Sequence, residues 1–150
     1  MKIHHVTMPA TDPAHVASVL AELVGGRALP MPHPEGAHMI YAGDEDGTLL
    51  EVWPSGARAA VGQHHVVDDG SPLPTSWPHH GLLSVPTDEA KILAVFEREG
   101  WPAEKVYQGP PGRGFTLIRG WLERQQVIEF ATPEMTAEYA AFVQAYASRF

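Results

Sequence analysis

The sequence predicts an α+β fold: two tandem βαβββ modules followed by a C-terminal helix. Three observations predict it. Short runs alternating apolar and polar residues bracket two stretches of helical spacing. The order strand, helix, strand, strand, strand occurs twice along the chain. Landmark residues recur at a nearly constant offset: His5 and His80 lie 75 residues apart, Thr11 and Thr87 76, Gly25 and Gly100 75, and Glu51 and Glu129 78. The first module spans 1–54, a linker 55–78, the second module 79–132 and the terminal helix 133–150, all within one 150-residue domain.

The elements follow in order. Ile3 to Met8 reads as a strand. Thr11 or Asp12 caps a helix with Pro13 at its first position, where the missing N–H costs nothing. Val16, Val19, Leu20, Leu23 and Val24 form its apolar stripe, and Gly25-Gly26 ends it. Strands are expected at Arg27–Leu29, His38–Ala42 and Thr48–Trp53, the last entered through the turn Asp44-Glu45-Asp46-Gly47. The Gly- and Pro-rich stretch Pro54–Pro78 reads as a connecting loop. In the second module, His79–Val85 is a strand and Thr87 the cap of a helix faced by Ile92, Leu93, Val95 and Phe96. Gly100 stops that helix, and strands follow at Ala103–Tyr107, Phe115–Leu122 and Gln126–Ala131. Thr132-Pro133 opens the last helix, with Met135, Tyr139, Phe142, Val143 and Tyr146 on its apolar face.

Composition narrows the chemistry. There are nine histidines and no cysteine, so any metal must be held by imidazole and carboxylate rather than thiolate. The formal charge is −8 and no Lys/Arg cluster occurs, which argues against nucleic acid and anionic membranes as partners. Met1-Lys2-Ile3-His4-His5 lacks a signal-peptide core, and no apolar run is long enough to span a membrane. A cytoplasmic location is the expectation.

Alternation places His5 and Thr7 on one face of the first strand, and Leu49, Glu51 and Trp53 on one face of the fourth. In the second module His80 and Leu82 share a face, as do Val127, Glu129 and Ala131. A glutamate inside an apolar strand is costly unless it is exposed, paired or bound to metal. One such residue is ordinarily a solvent-facing one; two at equivalent positions, each with an equivalent upstream His, favour a shared site. His4 and His79 face the other way, and a one-residue shift of either strand would exchange the roles. Phe115, Leu117, Arg119 and Trp121 share a face: either a cleft wall in which Arg119 holds an anionic substrate, or an exposed arginine among core tryptophans.

The opening His5-Val6-Thr7-Met8 with Thr11-Asp12-Pro13, the turn leading to Glu51, and the repeat as His80 and Glu129 resemble the vicinal oxygen chelate superfamily over about residues 2–132. Its members include glyoxalase I, fosfomycin- and bleomycin-resistance proteins and extradiol dioxygenases. The resemblance implies paired modules whose curved mixed sheets enclose a metal cleft. It implies His5, Glu51, His80 and Glu129 as ligands of a divalent ion (Zn, Ni, Co, Mn or Fe(II)), with Glu51 and Glu129 also catalytic. Thr7, Trp53, Arg119 and Trp121 are candidate substrate contacts. The implied activity is isomerase, epimerase, lyase or transferase chemistry on a small oxygenated metabolite that chelates the ion, in a homodimer. The alternatives are a metal-independent protein that sequesters a small molecule such as an antibiotic, and a degenerate structural member whose site is filled by a salt bridge or water. A dioxygenase is disfavoured, because a second carboxylate would fill a position needed by oxygen or substrate. Val19 to Gly26 departs from the corresponding region of glyoxalase I, which leaves the substrate open.

Overall fold

The computed structural model describes residues 5–43, 48–59, 66–68 and 81–148. The chain divides into two units, residues 1–77 and 78–150. The first contains β1 (His5–Ala10), α1 (Pro13–Val24), β2 (Arg27–Pro30), β3 (His38–Tyr41), β4 (Leu49–Pro54), β5 (Ala57–Ala59) and β6 (Val66–Asp68). The second contains β7 (Leu82–Ser84), α2 (Glu89–Glu99), β8 (Ala103–Gln108), β9 (Phe115–Leu122), β10 (Gln126–Ala131) and α3 (Pro133–Ala147).

The two four-stranded sheets have the same topology, β1-β4-β3-β2 and β7-β10-β9-β8. In each, the first and last strands of the βαβββ unit pair in parallel and the other neighbours are antiparallel. The helix crosses from the first strand to the far edge, and three strands then meander back to it.

Local chemistry explains the helix ends. Asp12 caps α1, its carboxylate accepting from the His15 N–H at 3.0 Å, and Pro13 follows it. Asp88 caps α2, accepting from the Lys91 N–H at 2.8 Å. This corrects the expected cap at Thr87, which is buried one residue too early. Gly25 and Gly100 close their helices in the left-handed conformation, with φ of 70° and 68°.

Each helix buries its stripe on one face of its own sheet. In the first unit Val16, Leu20 and Leu23 of α1 are buried, as are Met8, Ala10, Ile40, Leu50 and Val52 of the strands. In the second, Ile92, Val95 and Phe96 are buried with Ile118, Ile128 and Phe130. Phe96 meets Phe130 edge-on with ring centres 5.8 Å apart, and its ring lies where a Cβ at Gly120 would stand.

Three further features depart from the sequence reading. The stretch expected as loop contains a two-stranded antiparallel ladder, β5 with β6. Val66 and Val67 supply the β-branched residues of that ladder inside a segment whose overall composition signals turns. The strand expected at 79–85 runs over Leu82–Ser84, with Gly81 and Val85 outside it, while 79 and 80 lie outside the described residues. Of the apolar face assigned to α3, Met135 is buried and Phe142 half-buried, but Tyr139 and Val143 are 39% and 42% exposed. The side chain of Tyr146 lies outside the described residues. Among the described residues, no helix is long and apolar enough to cross a membrane.

Candidate functional site

With α1 on one face of the first sheet, the opposite face carries the polar residues. Thr7 pairs with Glu51 across β1 and β4, and His5 pairs with Leu49. Paired residues share a face, so His5, Thr7, Glu51 and Trp53 stand together on the side away from α1. Met39 is the partner of Glu51 on β3. The Thr7 hydroxyl donates to Oε2 of Glu51 at 2.9 Å. His5 and Thr7 are exposed and Glu51 is half-buried. The indole N–H of Trp53 is enclosed and has no acceptor.

The second sheet repeats this plan. Glu129 on β10 pairs with Leu82 on β7 and with Arg119 on β9. Leu82 therefore occupies the place that Thr7 holds in the first unit, and Arg119 the place of Met39. His80, two residues before Leu82, lies outside the described residues, as do His4, His64, His65 and His79. Glu129 is 5% exposed. Its Oε1 accepts from Nε and Nη2 of Arg119 at 3.1 and 2.9 Å. Glu104, the other cross-strand neighbour of Arg119, lies 4.0 Å from the guanidinium. The charge of Arg119, which the strand pattern leaves open to an anionic substrate or to solvent, is thus met by carboxylates of the protein. Trp121 stands half-buried on the same face, paired with Val127.

The Arg119–Glu129 pair is the feature that residue patterns missed. Its register is set by the turn Glu123-Arg124-Gln125, whose first two residues have φ of 47° and 63° without being glycine. A three-residue turn centred on Arg124 places 119 opposite 129, so the signal was the distance of each from that turn. Among the described residues no three His, Asp or Glu side chains gather as a metal centre.

No protein-family model matches the chain, and no curated protein matches it. Solved structures do. The fosfomycin-resistance protein FosX from Listeria monocytogenes aligns with a TM-score of 0.59 at 8% identity, over 92% of this chain and 98% of that one. Lactoylglutathione lyase from Agrobacterium tumefaciens aligns with a TM-score of 0.54 at 14% identity, over 89% and 94%. This chain has the vicinal oxygen chelate fold. A glyoxalase/bleomycin resistance protein/dioxygenase from Alicyclobacillus acidocaldarius shares that fold at 12% identity, with a TM-score of 0.51 over 87% and 90%. A second FosX structure, complexed with Mn(II) and sulfate, aligns with a TM-score of 0.57 at 7% identity, over 87% and 89%. The Mn(II)-complexed FosX and the lactoylglutathione lyase thus share their fold with this chain.

Of the four residues expected as ligands, His5, Glu51 and Glu129 are described, and imidazole and carboxylate are donors of the kind first-row divalent ions accept. Thr7 engages one oxygen of Glu51 and Arg119 one oxygen of Glu129. A carboxylate held through one oxygen, as Thr7 holds Glu51, can serve a cation through the other. Glu104 offsets the positive charge that Arg119 brings to this end of the face.

Proposed function

We propose that the protein is a divalent-metal-dependent enzyme of the glyoxalase-like type, acting on a small oxygenated metabolite by isomerisation, epimerisation, lyase chemistry or group transfer. His5, Glu51, His80 and Glu129 would hold the ion. When bound, the ion supplies Lewis-acid polarisation of adjacent substrate oxygens.

One observation carries this reading. Glu51 and Glu129 occupy equivalent register positions, on the strand that pairs in parallel with the first strand of each unit and on the face turned away from the helix. A buried-side salt bridge or a solvent-facing glutamate needs no such duplication. The remaining chemistry falls to the chain's own groups. Glu51, half-buried and held by a single hydroxyl, is placed to move a proton. The FosX complex with Mn(II) supports the ligand chemistry, and the proposal extends to a cytoplasmic homodimer.

The test is metal content after purification without a histidine tag. The expected result is a stoichiometric divalent ion that is lost in the His5→Ala/Glu129→Ala double variant. A metal-free native protein whose thermal stability does not respond to Mn(II), Zn(II) or Ni(II) would overturn the reading in favour of a sequestering protein.

A further inference from the structure

The second sheet carries a helix on each face. At Gly120 the Phe96 ring of α2 stands where a side chain would be, so the alternate residues Phe115, Leu117 and Arg119 turn the other way, with Glu129. That other face receives α3. The rings of Tyr139 and Phe142 meet Phe115 with centres 5.1 and 5.0 Å apart. The Thr136 hydroxyl donates to Oγ of Ser84 at 3.0 Å, and the Thr116 N–H donates to Oε2 of Glu138 at 3.0 Å. In the first unit the face bearing Thr7 and Glu51 carries no helix of that unit among the described residues.

α3 is fastened at its start and lightly held beyond it. Met135 is buried, but from Ala137 to Ala145 every residue is exposed except the half-buried Phe142. By comparison α1 buries six side chains and α2 three. Both hydrogen bonds that tie α3 to the strands are exposed, so water can replace them. Two clefts border the aromatic contact. One, of about 340 Å³, is lined by Leu82, Leu117, Glu129 and Tyr139 among others; the second, of about 440 Å³, by Pro110, Arg113, Ala141 and Phe142 among others. Along both clefts α3 forgoes the dispersion contacts of a packed helix. Ala137, Ala140, Ala141 and Ala145 are the strongest of helix formers, so this segment leans on the sheet less than most for its conformation.

We infer that α3 is a displaceable cover on the second sheet. Its first turn stays with the body at Met135, and the part from Ala137 onward lifts from Phe115 as one piece, populating an open state of about 0.1–10%. Docked, Tyr139 walls the cleft onto which Glu129 opens; lifted, it leaves Leu117 and Glu129 accessible from that side. The movement rests on packing alone. That the uncovered Glu129 then serves an ion or its ligand rests on the proposed function.

The chain has no cysteine, so a single introduced thiol reports access cleanly. Leu117 and Ile118 are neighbours on β9, 1% and 0% exposed, and they face opposite helices. Leu117→Cys and Ile118→Cys are each made in the full chain and labelled with iodoacetamide in rising, sub-denaturing urea. The Leu117→Cys thiol should react at least about a hundredfold faster, at a rate nearly independent of urea, because lifting α3 exposes little surface. The Ile118→Cys thiol should react only through global unfolding, with a steep urea dependence. Adding Phe142→Ala should speed the Leu117→Cys thiol at least about tenfold further. Adding Ile92→Val, in the α2 core, should speed only the Ile118→Cys thiol, since that core is intact in the open state. Amide exchange of the native chain gives a second reading that needs no variant: residues 139–145 should exchange together, again independently of urea, because a helix this short is marginal off the sheet. Equal and steep urea dependence of the two thiols overturns the inference. So does amide protection that rises steadily from Ala145 towards Met135, which is fraying of a helix end. The metal reading fails separately: there the purified chain holds no divalent ion and the labelling pattern stands.

Discussion

The two sheets are copies in topology, yet they hold their central glutamates by opposite means. Glu51 has a hydroxyl from its parallel neighbour, Thr7, and a thioether, Met39, across the antiparallel pair. Glu129 has an apolar parallel neighbour, Leu82, and a guanidinium, Arg119, across the antiparallel pair. The polar partner has changed sides and gained a charge. One glutamate is half-buried and lightly held; the other is buried and clamped. A duplicated framework has therefore kept the position of the carboxylate and varied how firmly it is fixed. The helix sides of the sheets show the same reciprocity in volume. Ile40 of β3 pairs with Leu50, and its counterpart Gly120 of β9 pairs with Ile128, its missing side chain replaced by the ring of Phe96 from α2.

The difference can be broken at Arg119. Arg119→Met gives the second sheet the neighbour that the first one has, and leaves the buried Glu129 carboxylate without its cation. A loss of about 3 kcal/mol in denaturant unfolding is expected, the upper range being tempered because the arginine is 27% exposed. Adding Zn(II) should restore part of the loss if Glu129 is a ligand. A variant as stable as the native chain would mean the clamp is ornamental.

Gly120→Ala attacks the volume exchange. Its methyl would collide with the Phe96 ring, and about 2 kcal/mol of destabilisation is expected from calorimetry. The double variant Gly120→Ala/Phe96→Leu should recover much of it, since the two sites share one space.

The helix caps supply the control, because here the units do not differ. Asp12→Ala and Asp88→Ala each remove one carboxylate–amide hydrogen bond and should cost about 1 kcal/mol apiece. Unequal costs, measured by urea titration, would show that the two helices are not equivalent supports.

Thr7→Val removes the single hydroxyl on Glu51. Stability should change by less than about 1 kcal/mol, because the site is exposed, while divalent-ion affinity falls severalfold as the carboxylate loses its orientation. Isothermal titration separates the two effects.

The smallest effect lies at the start of α3. A backbone hydrogen bond, and then the Thr132 hydroxyl, hold the Glu134 carboxyl below the usual carboxylate range. Its folded pKa is depressed, so its contribution to stability is present above the ordinary value of 4.5 and is lost as pH falls through the folded pKa. Glu134→Gln should flatten the stability-versus-pH curve slightly on the acid side and nowhere else.

The repeat made much of the architecture legible. A near-constant offset between His5/His80 and Glu51/Glu129 placed both glutamates on equivalent strands, and glycine and proline marked the helix ends where the structure has them. What escaped was set by partners distant in sequence. The clamp on Glu129 depends on hairpin register, fixed by a turn with no glycine to announce it. The cap at Asp88 beside Thr87 turns on which side chain reaches the amide three residues on. The β5–β6 ladder is masked by its Gly- and Pro-rich surroundings. The exposure of Tyr139 and Val143 follows from how much of α3 its neighbours cover, which helical spacing cannot report.

The parallel pairing of first and last strands has a consequence for the order in which the molecule is made. Thr7 and Glu51 touch across 44 residues of chain, and the strand bearing Glu51 is the last of its sheet to be synthesised. When the first strand, the helix and the two strands of the outer hairpin have left the ribosome, β1 still lacks its neighbour, because β4 lies between it and β3. His5 and Thr7 must wait for Leu49 and Glu51 to arrive, and in the second unit Leu82 waits likewise for Glu129. Assembly of the face is thus the closing event of each four-stranded sheet, so a chain cut short before the last strand of either sheet would lack that sheet's glutamate altogether.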